Sequence, residues 1–411
     1  MNKRLLFFVI FIHGLRAGPQ VRWGGCLRLD TFADTRQTVA TEDGAWMIWP
    51  KKVECDSQGG DINARGRLGM SPAYSSAYVE VTDKINETKL RGKIEMEFAS
   101  EYPVGLMDLR DAFFKAEWEK RSLLVGHALH PLVEACSPNT VSWGGGNPAA
   151  PFAFFPQICW KNYVGAFTFI LAPYSEYDYL SEGFVGYSST YMHNSMSPGL
   201  YLGVQVENKW AKFGVSFDMK RLLPALSTTT TSTTSMITKT IIHDECLMSF
   251  IGAVYGELQL NNFKIKAESI FGQNGYDMCL LGGYALGGAN FDNGKRCYTN
   301  INFASGWIDI ENIRHEKLQP GIFIGYAKNL GTRRSVFLDD ECRPRFYGED
   351  DQLSQVLRVA PRLRSQFNNL EIGVEMDFSV AWYGRMNCKG VQPCTYYVSN
   401  LRPLLVTCYY F

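Results

Sequence analysis

Apolar and charged residues alternate strictly along several stretches of this chain. From Leu90 to Phe98 every second residue is apolar or small and the residues between them are charged. The same pattern returns from Phe263 to Phe271 and from Leu370 to Trp382. A period of two is that of a β-strand, so each stretch predicts a strand with one apolar and one polar face. About a dozen or more such strands predict an all-β protein, a transmembrane antiparallel β-barrel whose apolar face points outward.

The connections between the predicted strands alternate between short and long. This is typical of barrels with short periplasmic turns and long outer loops. If every short connection is periplasmic, the count closes at sixteen strands with both chain ends on that side. The stretch from Leu280 to Leu286 fits this count poorly. Assigned to the long loop at 273–297 it leaves sixteen strands, whereas two extra strands there make eighteen.

The first residues of the chain predict export. A continuous apolar run from Leu5 to Ile12 follows Lys3 and Arg4. Its length is that of a signal-peptide core and is too short for a membrane-spanning helix. We therefore expect residues 1–18 to be a signal peptide and residues 19–411 to form the barrel. The alternative is that the first residues form a buried strand.

The last residue, Phe411, ends a strand-like run that starts at Leu401. An aromatic C-terminus on a final strand resembles the signal that outer-membrane barrels present to their insertion machinery. A closed barrel can cross a membrane because its backbone groups pair between strands and no edge is left. We therefore expect location in the outer membrane, contact with its lipid, and recognition by the assembly machinery through Phe411.

Composition removes several other classes of protein. Lys and Arg number 41 and so do Asp and Glu, so no basic excess points to nucleic acid. Eleven cysteines are present, and Cys388 and Cys394, which flank a short loop, are the predicted pair because an exported protein meets oxidising conditions. No CxxC spacing occurs, which argues against a structural zinc site. We expect no metal and no cofactor.

Charged residues lie on the predicted inward faces of four strands. With a turn centred on Asn368 and Asn369, Arg362 falls opposite Glu375, and opposite charges across strands attract. A basic row beside an acidic row makes a transverse field that orients and filters solutes in a pore. The alternative is that these residues only form a polar, hydrated wall. The predicted pore-lining residues are Arg91, Lys93, Glu95, Glu97, Asp111, Lys115, Glu117, Arg358, Arg362, Arg364, Glu371, Glu375 and Asp377.

The loop at 129–150 is the third long connection and ends in three glycines. In many sixteen-stranded porins this loop folds inward and narrows the channel, which would place His130, Glu134 and Asn139 near the constriction. The alternative is an ordinary outer loop. His127 and His130 would face opposite sides of a strand, so a shared metal ion there is not expected.

Several short motifs resemble the DcaP-like porins, large outer-membrane barrels, and in particular a branch of that family from the Bacteroidetes. The motifs are Asp34–Val39, Asp61–Ala64, Gly92–Glu95, Leu109–Phe113, Gly126–Pro131, Gly282–Ala285, Gly325–Gly331 and Ala360–Arg362. This chain has Asp111 where the family has His, and His127 where Gln is usual. The resemblance covers most of the chain and implies a trimeric diffusion channel.

These observations favour an outer-membrane channel for passive diffusion of small hydrophilic solutes, charged ones included, through a charged lumen. The alternative is a structural or adhesive barrel with a plugged lumen, whose exposed loops bind a partner. The sequence contains no GxSxG, HExxH or P-loop motif, so we do not expect an enzyme. An outer-membrane hydrolase that uses Ser and His on strand faces is a third hypothesis.

Overall fold

The computed structural model describes residues 18–98, 107–231, 238–290, 295–314 and 317–411. Residues 1–17 of the expected signal peptide lie outside the described residues. The described chain forms a closed antiparallel β-barrel of sixteen strands, which confirms the predicted fold class. None of the helices among these residues is long and apolar enough to span a membrane.

Each barrel strand pairs with its neighbours in chain order, and β1 also pairs with β16 from Cys26 opposite Tyr410 to Phe32 opposite Leu404. Strand β2 has two segments because Pro72 interrupts it. The strands are β1 Gln20–Asp34, β2 Arg67–Ser71 with Ser76–Ile85, β3 Thr88–Glu97, β4 Asp108–Trp118, β5 Arg121–Leu129, β6 Phe154–Val164, β7 Phe167–Tyr174, β8 Gly199–Glu207, β9 Ala211–Leu222, β10 Leu247–Leu260, β11 Phe263–Gln273, β12 Lys295–Asn312, β13 Gln319–Thr332, β14 Leu353–Phe367, β15 Leu370–Gly384 and β16 Thr395–Tyr410.

The alternation in sequence becomes two faces of one sheet. On β15, Val374 and Met376 are 44% and 40% exposed on the outer face, whereas Glu375 and Asp377 are buried on the inner face. The apolar outer band suits contact with hydrocarbon, and the polar side chains pair with one another inside.

The two ends of the barrel differ in the length of their connections. Five turns at one end contain two residues, such as Asn368 and Asn369 between β14 and β15. Asn368 has a φ of 53°, a left-handed conformation that asparagine tolerates better than most residues. We call this the short-turn end. The opposite end, the long-loop end, carries connections such as 35–66, 130–153 and 175–198.

The long loops contain short elements of their own. Helix α1 spans Pro131–Ala135 and helix α2 spans Thr190–Asn194. Single 3₁₀ turns cover Glu42–Gly44 and Tyr276–Met278. The loop strands are Thr38–Thr41 with Trp46–Pro50, Glu182–Gly183 with Gly186–Tyr187, Ser227–Thr231 with Thr238–Ile242, and Gly283–Asn290 with Phe346–Tyr347.

The ambiguous stretch near Leu280 adds no strand to the barrel wall. Gly283–Asn290 pairs with the first residues of β12, up to Ile301, while β11 pairs with the rest of β12. The segment therefore prolongs the wall beyond the long-loop end, and the count of sixteen holds.

The predicted Cys388–Cys394 disulfide is wrong, because all eleven cysteines are free thiols in the structure. Cys388 lies in a small turn closed by backbone hydrogen bonds from Asn387 to Val391 and from Gly390 to Asn387. Cys394 lies outside this turn, immediately before β16. Flanking a short loop in sequence therefore did not bring the two sulfur atoms together.

Replacing Val374 with arginine tests the assigned outer face. The substitution places a charge in the middle of the apolar band and should destabilise the inserted barrel by about 2–4 kcal/mol. Urea titration of protein refolded into lipid vesicles measures this loss. Val374→Leu is the control and should insert normally. Wild-type stability in Val374→Arg would show that this face does not meet hydrocarbon.

Candidate functional site

Residues 130–153, called here the inward loop, enter the barrel from the long-loop end. His130 begins this loop and caps helix α1 by accepting a backbone hydrogen bond of 3.3 Å. Its ring is fully buried and packs edge-on against Phe155, Tyr174 and Tyr201 of the wall. The start of the loop is thus fixed by aromatic packing.

Asn139 connects the middle of the inward loop to a cluster of charges on the wall. Its side-chain amide donates to Glu311 Oε2 at 2.7 Å, and its backbone N–H donates to Asp309 Oδ2 at 3.3 Å. Lys266 Nζ donates at 2.9 Å to both Asn139 Oδ1 and the carbonyl of Ser137. Charge-assisted hydrogen bonds of this kind are stronger than neutral ones.

Val141 continues the attachment two residues further along the loop. Its N–H donates to Glu375 Oε2 at 2.7 Å, and its carbonyl accepts from Arg28 Nη2 at 3.0 Å. Gly373 lies beneath Val141, where a Cβ would come within 2.7 Å of the valine Cγ1. A glycine at this wall position therefore lets the loop approach closely enough to reach Glu375.

The predicted register of Arg362 opposite Glu375 is confirmed, but the two side chains have different partners. The guanidinium of Arg362 extends across Gly321 and forms two hydrogen bonds of 2.8 Å with Asp309. A Cβ on Gly321 would lie 2.7 Å from Arg362 Cζ, so the absence of a side chain there opens the route. Glu375 is left to bind Val141 of the inward loop.

Four residues predicted to line a pore are buried beneath the inward loop and the first long loop, residues 35–66. Arg358, Arg362, Glu375 and Asp377 point inward but are only 1%, 5%, 0% and 1% exposed. Arg358 pairs with Asp377 and donates to the carbonyl of Asn147 in the inward loop at 3.0 Å. These side chains contact protein and not an open lumen. The prediction that they form a solvent-facing wall is therefore wrong for these four residues.

The wall formed by β2, β3 and β4, which β1 separates from β16, carries a ladder of ion pairs that the loops leave partly exposed. Arg91 binds Glu80 at 2.5 Å, and Lys93 binds both Asp111, at 2.8 Å, and Glu95. The side chains of this ladder are between 10% and 43% exposed. Its predicted members are Arg91, Lys93, Glu95, Glu97, Asp111, Lys115 and Glu117.

Arg110 belongs to the same wall, although strict alternation with Asp111 predicts that it faces outward. The pairing of β3 and β4 shifts between Glu95 and Met96, so Arg110 is an extra, bulged residue. Its Nη1 lies 3.5 Å from carboxylate oxygens of both Glu95 and Glu97, and its Cζ lies 4.0 Å from the centre of the Trp143 ring. An arginine on the apolar outer face would be costly, and this cost was the one sign in the sequence that Arg110 faces inward.

Two cavities flank the inward loop. The outer cavity, of about 540 Å³, opens at the long-loop end and is bordered by the first loop, β3 and β4. The inner cavity, of about 370 Å³, is bordered by the inward loop and by Arg28, Arg364 and Glu371. Arg110, Trp143 and Phe154 line both cavities and so lie at their junction. We call these three side chains the junction.

The remaining predicted residues fall at different places. Asn139, Arg364 and Glu371 line the inner cavity, and Arg364 binds Glu371 at 2.9 Å. Glu134 lies on α1, is about half exposed, and pairs with Lys161 of β6 at 2.8 Å. Asn139 is thus the constriction-loop candidate that comes nearest to the junction region, because it shares the inner cavity with Trp143.

The first long loop also enters the barrel, which the sequence did not predict. Arg402 of β16 forms two hydrogen bonds with Asp34, at 2.8 and 2.6 Å, and donates to the carbonyls of Gly44 and Ala45. Both partners of this ion pair are fully buried. The hairpin Thr38–Thr41 with Trp46–Pro50 is thereby held against β15 and β16.

The histidines do not form a shared centre. His127 lies 3.3 Å from Asp178 of the fourth long loop, and His130 lies 3.4 Å from Asp218 of β9. His193 Nε2 lies 3.2 Å from Ser175 Oγ, and the described residues give His193 no ion pair with a carboxylate. Across the part of the chain that the structure covers, no group of three or more His, Cys, Asp or Glu side chains could hold a metal ion.

Comparison with solved structures shows the same fold in outer-membrane proteins. The outer membrane channel DcaP of Acinetobacter baumannii superposes with a TM-score of 0.65 at 12% identity, over 96% of this chain and 98% of that chain. In-vitro folded OmpT of Vibrio cholerae gives 0.56 at 11% identity, over 97% and 99%. Salmonella typhi OmpF in complex with daunomycin gives 0.52 at 10% identity, over 95% and 97%.

No protein-family profile and no curated protein matches the chain. At these identities the structural likeness establishes the fold and leaves the activity to be argued from this chain's own residues.

Replacing Glu375 with alanine tests the attachment of the inward loop. The change leaves the buried N–H of Val141 without its acceptor, which costs about 1–3 kcal/mol. We expect faster amide hydrogen exchange in the inward loop while the barrel stays folded. Glu371→Gln, on the same strand and face, is the control because Glu371 pairs with Arg364 instead of the loop. Equal exchange in both variants would contradict this attachment.

Proposed function

We propose that the protein is an outer-membrane channel through which small hydrophilic solutes, charged ones included, diffuse passively. The observation that carries this proposal is the pair of cavities on opposite sides of the inward loop, which share the junction residues Arg110, Trp143 and Phe154. A solute that enters the outer cavity reaches the inner cavity past these three side chains. DcaP of Acinetobacter baumannii, which shares this fold, is an outer membrane channel, and this is consistent with the proposal.

The charged wall of β2 to β4 supplies the path that such a solute would follow. Because the ion pairs there are partly exposed, water and small ions can compete for their hydrogen bonds. The inward loop and the first long loop form the facing side of the cavities. Their low dielectric constant would strengthen the electric field of these charges. We infer that Glu97 in the outer cavity, Arg110 at the junction, and Arg364 and Glu371 in the inner cavity meet the solute directly.

The cellular setting is part of the same proposal. We infer that residues 1–18 act as a signal peptide, that Phe411 is recognised by the assembly machinery, and that the short-turn end faces the periplasm. Phe411 pairs through its backbone with Gly25 of β1 and therefore completes the closure of the barrel. A homotrimer and membership of the Bacteroidetes branch of DcaP-like porins rest on the sequence resemblance.

A plugged barrel is the second candidate, and one observation favours it. The interior next to β14, β15 and β16 is closed by the two inward-folding loops, and Arg358, Arg402 and Glu375 are almost without exposure. If the junction is closed in the same way, the long loops become the functional surface. Conductance separates the two candidates.

Single-channel recording of the refolded protein in a planar bilayer tests the channel. We expect stepwise, ohmic insertions, because the two cavities share the junction residues and the charged wall between β2 and β4 is partly exposed. Silence from protein shown to be folded by its urea transition would overturn the channel proposal and favour the plugged barrel.

Replacing Arg110 with alanine tests the junction itself. The change removes bulk and one positive charge from a position between Glu95 and Glu97. We therefore expect a larger conductance and a higher ratio of cation to anion permeability, measured as a reversal potential in a salt gradient. Arg121→Ala, at the start of the adjacent strand β5, is the matched control. An unchanged reversal potential in Arg110→Ala would remove this residue from the solute path.

A further inference from the structure

The outer cavity has a strong excess of acidic residues. Of the residues that the structure describes, six carboxylates line it, namely Glu42, Glu97, Asp108, Asp178, Asp277 and Glu349. Among the described lining residues the one basic side chain is Arg110, and Lys220 reaches Asp277 from behind. The carboxylates come from the first, fourth, sixth and seventh long loops and from β3 and β4. The fold therefore gathers them at one mouth, where their summed field attracts cations.

Aromatic rings form the other component of this cavity. Trp143 packs against Tyr74 with ring centres 5.1 Å apart, and Tyr187 stacks on Tyr276 at 5.6 Å. All four rings line the cavity together with Phe154 at the junction. An aromatic face attracts a cation, and it also offers a flat apolar surface to the body of an organic solute.

Arg110 shows how a cation is held at this place. Its guanidinium lies over the Trp143 ring at 4.0 Å and within 3.5 Å of Glu95 and Glu97. The side chain thus combines an aromatic face with carboxylates on its edge. The same ring and the carboxylate of Glu97 line the outer cavity, so an organic cation that enters from outside meets both.

Several buried polar atoms of the lining have no hydrogen-bond partner among the described residues. Trp49 Nε1, Tyr74 OH and Asp277 Oδ2 belong to side chains that are 4%, 2% and 1% exposed. All three residues line the outer cavity. Buried polar groups are normally satisfied, so these atoms point to a ligand that both accepts and donates hydrogen bonds.

We propose that the outer cavity is a recognition site for small organic cations that carry an aromatic body and a hydroxyl or carbonyl oxygen. This inference rests on the proposed channel and names the class of solute that its outer mouth selects. The carboxylates bind the ammonium or guanidinium group, the partly exposed ring of Trp143 packs on the body, and a polar atom of the lining that lacks a partner binds the oxygen.

Three probes of nearly equal shape test the charge requirement. Tyramine is the cation, tyrosol is the neutral analogue and 4-hydroxyphenylacetate is the anion. Each is added to one side and then to the other side of a bilayer that contains the conducting protein. We expect tyramine to interrupt the potassium current in a concentration-dependent way, and more strongly when it is added at the long-loop end. Its half-blocking concentration should be at least tenfold lower than that of either analogue.

Two variants test the residues. Asp178→Asn removes a carboxylate of the mouth, and Trp143→Leu removes the ring at the junction. We expect each to raise the half-blocking concentration of tyramine roughly threefold to tenfold, as loss of a cation–π contact or a charge contact of about 1 kcal/mol implies. Glu87→Gln makes the same charge change as Asp178→Asn in a fully exposed turn at the short-turn end, and it should leave the block unchanged.

The outcomes separate the two proposals. A conducting protein that tyramine and 4-hydroxyphenylacetate block equally, or that neither blocks, overturns the cation site and leaves the channel intact. A folded protein that does not conduct overturns the channel, and titration calorimetry of tyramine with the detergent-folded protein then decides the site. Binding that weakens in Asp178→Asn but not in Glu87→Gln supports the site, and absence of binding overturns it.

Discussion

Three buried arginines hold the interior of this barrel in place. Arg358, Arg362 and Arg402 lie on β14 and β16, and each has its carboxylate partner inside the barrel. Burial of a charge is costly, and removal of one partner of such a pair typically costs about 3–5 kcal/mol. Arg358 and Arg402 also donate to backbone carbonyls of the loops. The positions of the inward loop and of the first long loop therefore depend on ion pairs of the barrel wall.

This arrangement divides the interior into two halves with different physical character. Next to β12 and β14 to β16, charges are enclosed by protein and serve as attachment points. Next to β2 to β4, charges remain partly in contact with solvent and pair along the strands in a ladder. The same residue types thus have two roles: enclosed charges attach the loops, and partly exposed charges form the ladder. Solvent access decides between the two roles. The two cavities lie between the attached loops and the ladder.

The sequence predicted the features that depend on local periodicity. The faces of β15, the count of sixteen strands and the register that sets Arg362 opposite Glu375 follow from alternation and turn length. The partner of Arg362 did not follow, because it depends on Gly321, which lies directly opposite Arg362 on β13, and on a carboxylate of β12. Likewise Cys388 and Cys394 were close in sequence, but the turn between them is closed by backbone bonds.

The bulge at Arg110 has a consequence for how such a protein can change over time. Because one extra residue turns this side chain inward, the remainder of β4 keeps its pairing with β3 and β5. Gain or loss of a single codon at this point changes the side chain that lies between the two cavities and leaves the other fifteen strands in register. The lining of the two cavities can therefore diversify through short insertions and deletions while the scaffold is inherited unchanged.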